Sequence, residues 1–567
     1  MSAPEGFDVV VLGSGAAGLT AALVAATEGL SVCLVEKDAK LGGTTAWSGG
    51  MVWAPLSGAA RAVGHTEDTA DAVWSYLAAI LPDISDAARL KAFVTAAPEA
   101  VDYLNERTVV QLRPVPVYPD YYPDAPGATK AGRVLEPQPF DASCLRGTLA
   151  LLRRPLPEFA LFGDMMVART DIPKFRSVFR SARSFATVTG LLLRHLREKL
   201  RHGRGTSLVL GNALVGRLVY ACQAAGVTFK VATRVRDLTC NAAGTVDGVV
   251  LADGSRLEGR QGVVLATGGF SQDPKRRQSL LPPALADNSA TAHGATGDGA
   301  DLAERVGGLF LNAEEGNAFW APVSRYRRAN GSEAVYPHTV TDRSKPGLIA
   351  VDGEGKRFTN EAVSYHEFVK AMLANGNAAT PDDGGAWLLC DSRFLWLYGL
   401  GAVKPMTRRL RSFLSQGYLH RGETLGDLEA CLSLPKGALV ETVAHYNRGA
   451  DAGGDPDFGR GGNVYQRFLG DASIQPNPCV APLRKPPFYA VKVLPGDLGA
   501  AAGLDTDEVG RVRDRNGRMI AGLYACGADM RSVMQGAYPA PGITLGPAIT
   551  FGYLIAMDMF GRSRCNQ

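Results

Sequence analysis

Glycines at 13, 15 and 18 follow an apolar, β-branched run, Phe7 to Leu12, and open an alanine-rich stretch closed by Gly29. The run reads as a buried parallel strand and the stretch as a helix. SVCLVEK then supplies a second strand ending at Glu36. Strand, glycine loop, helix and strand form one βαβ unit, the context in which G-x-G-x-x-G carries meaning. Gly13 permits the tight turn, Gly15 lets the backbone approach a pyrophosphate, and Gly18 lets helix and strand pack closely. The segment Gly13, Ser14, Gly15, Ala16, Ala17, Gly18 thus turns the unpaired N–H groups of a helix start towards phosphate oxygens. Glu36 is placed to accept hydrogen bonds from ribose hydroxyls, and an acid there disfavours the 2′-phosphate of NADP.

The 567 residues exceed what one hydrophobic core usually holds, so two domains, or one with large insertions, are expected. With 46% hydrophobic and 20% charged residues the chain is globular. A net charge of +4 is small for this length and gives no reason to expect nucleic acid. No run of roughly eighteen apolar residues suggests a membrane-crossing helix. MSAPEGFDVVVLGSG lacks the basic region and cleavage site of a signal peptide. The nine cysteines are scattered without CxxC spacing, so no disulfide framework and no metal site is expected. These readings favour a cytoplasmic setting.

VVLATGG (Val263 to Gly269) and GLYACGA (Gly522 to Ala528) resemble two more buried strands ending in glycine. They are far apart in sequence yet read as parts of one nucleotide-binding sheet, so a second domain is expected between them. Residues 153–204 stand out: twelve Lys/Arg against four Asp/Glu give a local net of +8 and leave the rest of the chain at −4. Leu191, Leu192, Leu193, Leu196 and Leu200 add an apolar helical stripe. Such a segment either lies on a membrane surface or is a solvated helix packing on its own protein.

Directly after Glu36 and Lys37 comes a second Gly/Thr/Ser loop, KLGGTTAWSGG, Lys40 to Gly50. It resembles the segment that follows the FAD pyrophosphate and ribityl chain in the fumarate reductase and succinate dehydrogenase flavoprotein superfamily. ATGGF (Ala266 to Phe270), TGDG (Thr296 to Gly299) and GLYACGAD (Gly522 to Asp529) match three further motifs of that superfamily, in order. The resemblance implies FAD contacts from Gly43, Thr44, Thr45, Ser48, Gly49 and Gly50. It extends them to Lys37, Val235, Ala266, Thr267, Gly268, Asp298, Gly527, Asp529, Thr544 and Leu545. Succinate dehydrogenases bond FAD to a histidine in the first loop; Ala46 and Trp47 stand here, so non-covalent FAD is expected. The expected fold is α/β. A Rossmann-like FAD-binding domain comprises 1–272 and 487–567 with the basic segment 153–204, and an inserted α+β catalytic domain, 273–486, caps the substrate.

GKRFTNE (Gly355 to Glu361) is the superfamily landmark before the proton-handling residue, and AVSYHEF follows it with no arginine nearby. There the chain resembles the 3-ketosteroid Δ1-dehydrogenases. It shares their tyrosine after the landmark (Tyr365), their DYY segment (Asp120, Tyr121, Tyr122), their FYA…PGDLG stretch (Phe488 to Gly499) and their YPxPG element (Tyr538 to Gly542). The resemblance implies that the Tyr538 hydroxyl and the Gly542 N–H polarise a ring carbonyl. Tyr365 takes the α-proton, Tyr121 relays it, and a hydride goes to FAD N5. A phenol with a pKa of about 10 is a poor base at neutral pH, so Tyr365 needs help.

Trp320, Tyr336, His338 and His366 lie in candidate pocket segments. Ser364 replaces the family's usual proline, Ala540 a glycine, and GDLGAAAG the usual GDLGTKGG, while Tyr326 to Leu348 reads differently from the steroid enzymes. These departures bear on the ring system. Related flavoenzymes desaturate cyclohexanone or 4-oxocyclohexanecarboxylate. The expected partners are therefore a small-molecule ring ketone and an unidentified electron acceptor, with a membrane surface added only on the first of the two readings of 153–204. A fumarate-type reductase would need carboxylate-binding arginine and histidine instead. A flavoprotein subunit of a membrane electron-transfer complex would need the covalent-flavin histidine.

Overall fold

The computed structural model describes residues 5–81, 87–178, 181–285, 288–340, 342–376 and 384–565. Arg180 of the basic segment lies outside these residues. The first βαβ unit forms as its pattern dictates: strand Glu5–Leu12, helix Ala16–Thr27 and strand Val32–Val35. Val9, Val10, Val11, Cys33 and Leu34 are all but inaccessible to solvent, which explains why these strands read as continuous apolar runs. Each such Val or Leu contributes about 1.5–3 kcal/mol.

The distant strands join this unit. Arg256–Leu265 lies parallel to Glu5–Leu12, with Val10 opposite Val263, and Met519–Ala525 lies parallel beyond it, with Val263 opposite Leu523. On the other flank Val32–Val35 pairs with Thr228–Lys230. Antiparallel strands Val246–Leu251 and Val235–Cys240 lie beside the first half of Arg256–Leu265, and Arg511–Arg513 pairs antiparallel with Met519–Ala525. The helix Leu545–Cys565 packs along Ala16–Thr27, so the end of the chain covers its beginning. The loops at Gly13 and at residues 40–50, 266–270 and 526–529 leave the carboxyl ends of the parallel strands, where open α/β sheets bind ligands.

A second sheet is antiparallel throughout. Its order is Glu333–Pro337, Ala318–Arg327, Phe488–Ala500, Ala386–Asp391 and Leu348–Val351, and Leu419–Gly422 also pairs with the central strand. The expected domain boundary at 486 falls just before Phe488–Ala500. That strand is the centre of the second sheet, although its sequence neighbours on the C-terminal side lead into the first. Asp497 anchors it: Arg277 donates to its carboxylate at 2.6 Å, and Ser289 donates at 3.2 Å.

Residues 153–204 contain one long helix, Ala182–His202. Its inner face buries Val188 and His195, and His195 lies 3.4 Å from Asp164. The preceding residues bridge the two sheets. Arg153 pairs with Asp38 at 2.6 Å, whereas Glu158 bonds Tyr326 and Arg328, and Phe159 stacks on Tyr336 at 5.2 Å.

Candidate active site

The glycine loop and the 40–50 loop lie against each other. A Cβ on Gly13 would fall 2.2 Å from the Ala266 carbonyl and one on Gly18 would fall 2.1 Å from the Gly13 carbonyl, so both close approaches require glycine. At Gly15 and Gly43, by contrast, a Cβ would meet nothing nearer than 3.7 Å and 3.9 Å, ordinary contact distances without a clash. That leaves a backbone-lined cradle of the kind a pyrophosphate fills. Ala16 N–H donates to Thr45 Oγ1 (3.0 Å), and Gly42 N–H to Ser14 Oγ (2.9 Å), which locks the two loops together. Glu36 accepts from the Ser14 hydroxyl (2.6 Å) and amide (3.0 Å). Ser48 accepts from Gly50 N–H, and Thr44 Oγ1 from Ala292 N–H.

The remaining expected cofactor residues form two clusters. Lys37 donates to Asp298 (2.8 Å) and Thr296, tying the first unit to the helix Asp298–Arg305. Burial alone would raise the Asp298 carboxyl, but the bonds from Lys37 and Thr296 hold it below the usual carboxylate range. Asp529 accepts from Thr267 N–H, Thr267 Oγ1 and Gly269 N–H, so it caps the turn that holds Gly268. Gly527 stands opposite Ala17, Val235 begins a strand, and Ala266 donates to Leu12. Gly49 lies beside Met51, and Leu545 starts the last helix. The Thr544 carbonyl accepts from Ala548 N–H at 3.3 Å, at the start of that helix.

Three tyrosines from three distant segments converge. The ring centroids of Tyr365 and Tyr538 are 5.1 Å apart, those of Tyr121 and Tyr365 5.7 Å, and those of Tyr121 and Tyr538 5.7 Å. The three phenols lie close enough to oppose one another's ionisation, Tyr365 that of Tyr121 and Tyr538 that of both. Tyr122 points elsewhere, donating to Glu367 at 2.7 Å. The Tyr538 loop is held through Pro539, whose carbonyl accepts from Tyr76 (2.6 Å) and from Tyr121 N–H (2.9 Å). Gly542 has φ +92°, and a Cβ there would lie 2.6 Å from Trp53 N. Among the described residues none accepts the Gly542 N–H. Burial lifts Tyr365 and Tyr121 well above the ordinary phenol and pushes Tyr538 up to about 12.

The landmark before Tyr365 is a foundation. Glu361 accepts from Arg357 (2.8 Å), Arg460 (3.1 Å) and Ala350 N–H, and Arg357 also pairs with Asp455. Burial would raise Glu361, but the two guanidinium groups hold it low. Asn360 bonds the Phe458 carbonyl and Gln466. Ser364 is the N-cap of the helix Tyr365–Ala374, accepting from Glu367 N–H at 3.2 Å. The tyrosine thus begins a helix whose start is pinned from beneath.

Tyr118 and Tyr465 also belong to the cluster. Tyr465 lies 4.8 Å from Tyr121, and its buried hydroxyl has no partner among the described residues. Neither belongs to a motif, so spacing held no signal for them. Trp320 and His366 stack beside Tyr538; the Trp320 backbone N–H donates to His366 Nδ1, and His366 Nε2 has no partner among the described residues. Burial pushes the His366 imidazole down to about 3, so it is neutral. Tyr336 and His338 lie outside this group, with His338 between Asp342 (2.6 Å) and Ser324 (2.7 Å).

The FAD binding domain family matches residues 8–545. The 3-oxosteroid 1-dehydrogenase of Mycobacterium tuberculosis is 36% identical over 566 residues, 98% of each chain. A crystal structure of 3-ketosteroid Δ1-dehydrogenase from Sterolibacterium denitrificans, in complex with 1,4-androstadiene-3,17-dione, aligns with a TM-score of 0.90. It is 35% identical and the match covers 98% of this chain and 100% of that one. This chain belongs to the 3-ketosteroid Δ1-dehydrogenase family. Like that family it is an FAD-binding oxidoreductase with a mixed helix-and-sheet flavoprotein fold. The 4-oxocyclohex-2-ene-1-carboxylate 5-dehydrogenase of Sinomonas cyclohexanicum is 39% identical over 556 residues, 97% of this chain and 93% of that one. The family therefore includes single-ring as well as steroid ketone enzymes.

Proposed function

We propose that this family member introduces a C=C bond α,β to a ring ketone, with a 3-ketosteroid as the leading substrate class. The convergence of Tyr121, Tyr365 and Tyr538 carries the reading. Bound FAD supplies the hydride acceptor. Gly13 to Gly18, Glu36, Lys37, the 43–50 loop, the Thr267–Asp529 turn and the Asp298 helix hold it, with the Val235, Thr544 and Leu545 segments at its edges.

Tyr538 O–H and Gly542 N–H donate to the ketone oxygen and stabilise the enolate-like charge; one such donor is worth about 100- to 1,000-fold. Tyr365 receives the α-proton and Tyr121 carries it away. In this arrangement residues 1–272 and 487–567 bind the cofactor and 273–486 form the cap, with Phe488–Ala500 shared between them. A single-ring 4-oxo acid is the second reading, favoured by the Sinomonas relative. Anaerobic bleaching of the flavin by 4-androstene-3,17-dione, cyclohexanone, 4-oxocyclohexanecarboxylate and succinate decides between them. Bleaching by succinate alone overturns the roles of Tyr365 and Tyr538.

No described helix is long and apolar enough to cross a membrane. A peripheral contact is part of the proposal. The helix Ala182–His202 exposes Phe185 (56%), Leu193 (62%), Leu196 (55%) and Leu200 (80%), and Arg183, Arg197 and Arg201 flank that stripe. Apolar residues rimmed by arginine suit an anionic bilayer. The protein should co-sediment with vesicles containing phosphatidylglycerol, and Leu196→Glu with Leu200→Glu should cut that binding about tenfold. Unchanged binding would remove this helix as the contact.

A further inference from the structure

Burial makes Tyr365 and Tyr121 harder to ionise, so a base built from them needs a compensating positive charge close by. Arg343 is placed to provide it. It is 1% exposed. Its Nε donates to the His338 carbonyl (2.9 Å) and its Nη2 to the Thr339 carbonyl (3.0 Å). Its Nη1 donates to the carbonyls of Glu361 (3.0 Å) and Val363 (3.2 Å). The guanidinium also lies 4.8 Å from the Phe368 ring, on the helix that Tyr365 begins. The chain before Tyr365 and the helix after it both rest on this one group.

Four carbonyls satisfy the guanidinium's donors without neutralising it. Among the described residues no carboxylate lies within ion-pair distance. Asp342 is the nearest candidate, but it bonds the His338 ring (2.6 Å), Gly401 N–H (3.2 Å) and the Arg343 amide (2.9 Å). Glu361 is taken by Arg357 and Arg460. A buried cation that makes no direct ion pair is costly, and it favours any neighbour able to become negative, Asp342 among them. The neighbours that feel this charge are Tyr465, Asp342 and Tyr121, with Arg460 opposing. Around the pair itself stand the phenols Tyr118, Tyr465 and Tyr538, neutral His366, and Arg169 facing Tyr118.

We infer that Arg343 is a positioning residue. Its backbone clamp fixes the loop that presents Tyr365, and its buried charge supports the deprotonated Tyr121–Tyr365 pair. The inference rests on the proposed dehydrogenase reading.

The test is the pH dependence of anaerobic flavin bleaching by whichever ketone reduces the wild-type holoenzyme, in Arg343→Met, Arg343→Gln and Arg343→Lys. Loss of the cation raises the pH at which the pair ionises, so the alkaline-rising limb should move up by about one pH unit in the Met and Gln variants. Their rate at neutral pH should fall about tenfold and recover at high pH, as one pKa unit corresponds to tenfold in the ionised fraction. Arg343→Lys should keep the limb within about half a unit, and KM should change little in all three. A loosened loop alone would lower the rate at every pH. If a neutral variant that retains FAD shows an unmoved limb, Arg343 does not serve the base. Should neither neutral variant retain FAD, a limb shifted by a full unit in Arg343→Lys overturns the charge role, and an unmoved one supports it. Wild-type enzyme inert to every ketone would instead overturn the dehydrogenase reading.

Discussion

The roles proposed for Tyr365 and Gly542 rest on opposite kinds of constraint. Tyr365 depends on what its oxygen touches. Tyr365→Phe should keep its flavin colour and lose ketone-driven bleaching by about three orders of magnitude, and bleaching at the wild-type rate would exclude it as the base. Gly542 depends on what it lacks. An alanine there places a methyl 2.6 Å from Trp53 N at a φ of +92°, which an L side chain rarely adopts. Gly542→Ala should lower the thermal midpoint by several degrees, and kcat should fall further than the stability loss explains, because the amide moves. Tyr121 and Tyr122 give a paired control. Tyr121→Phe should slow proton release and reduce bleaching, while Tyr122→Phe, losing only a bond to Glu367, should leave it within about threefold.

At the scale of elements, the turn at Thr267–Gly269 and the helix Asp298–Arg305 are held by carboxylates from elsewhere in the chain. Asp298 sits below the usual carboxylate range. A depressed carboxyl contributes stability above its unfolded pKa of about 3.9 and loses it as pH falls through its folded value. Asp298→Asn should therefore weaken FAD retention at neutral pH and flatten its loss below about pH 4, measured by flavin fluorescence release. The βαβ unit and the three later motif strands were legible because a buried parallel strand has few sequence alternatives and its glycines answer to specific close contacts. Tyr365 and Tyr538 were legible only through resemblance. A tyrosine on a core face carries no periodic mark, and the convergence of residues 121, 365 and 538 is a long-range fact. Arg343, Tyr118 and Tyr465 had no motif at all, and their partners are mainly backbone carbonyls or rings. The strand Phe488–Ala500 opens the 487–567 segment expected to bind the cofactor, and its pairing partners lie at 318–327 and 386–391, a long-range pairing that local pattern does not reveal.

For the whole molecule, the Arg277–Asp497 pair joins the inserted sheet to the segment leaving the cofactor sheet, and both partners are buried. Removing one partner strands the other charge. Asp497→Asn should cost about 3–5 kcal/mol, read by denaturant unfolding of the holoenzyme, and a loss under about 1 kcal/mol would show the pair is dispensable. The placement of Phe488–Ala500 has a further consequence, for biosynthesis. Strands 318–327 and 386–391 leave the ribosome long before the strand that lies between them. Until some five hundred residues are made, both carry an unsatisfied edge, and such edges recruit other chains. Chains cut short between the two halves should aggregate, not fold into a smaller enzyme, and recombinant yield should depend on chaperone supply more than on codon choice.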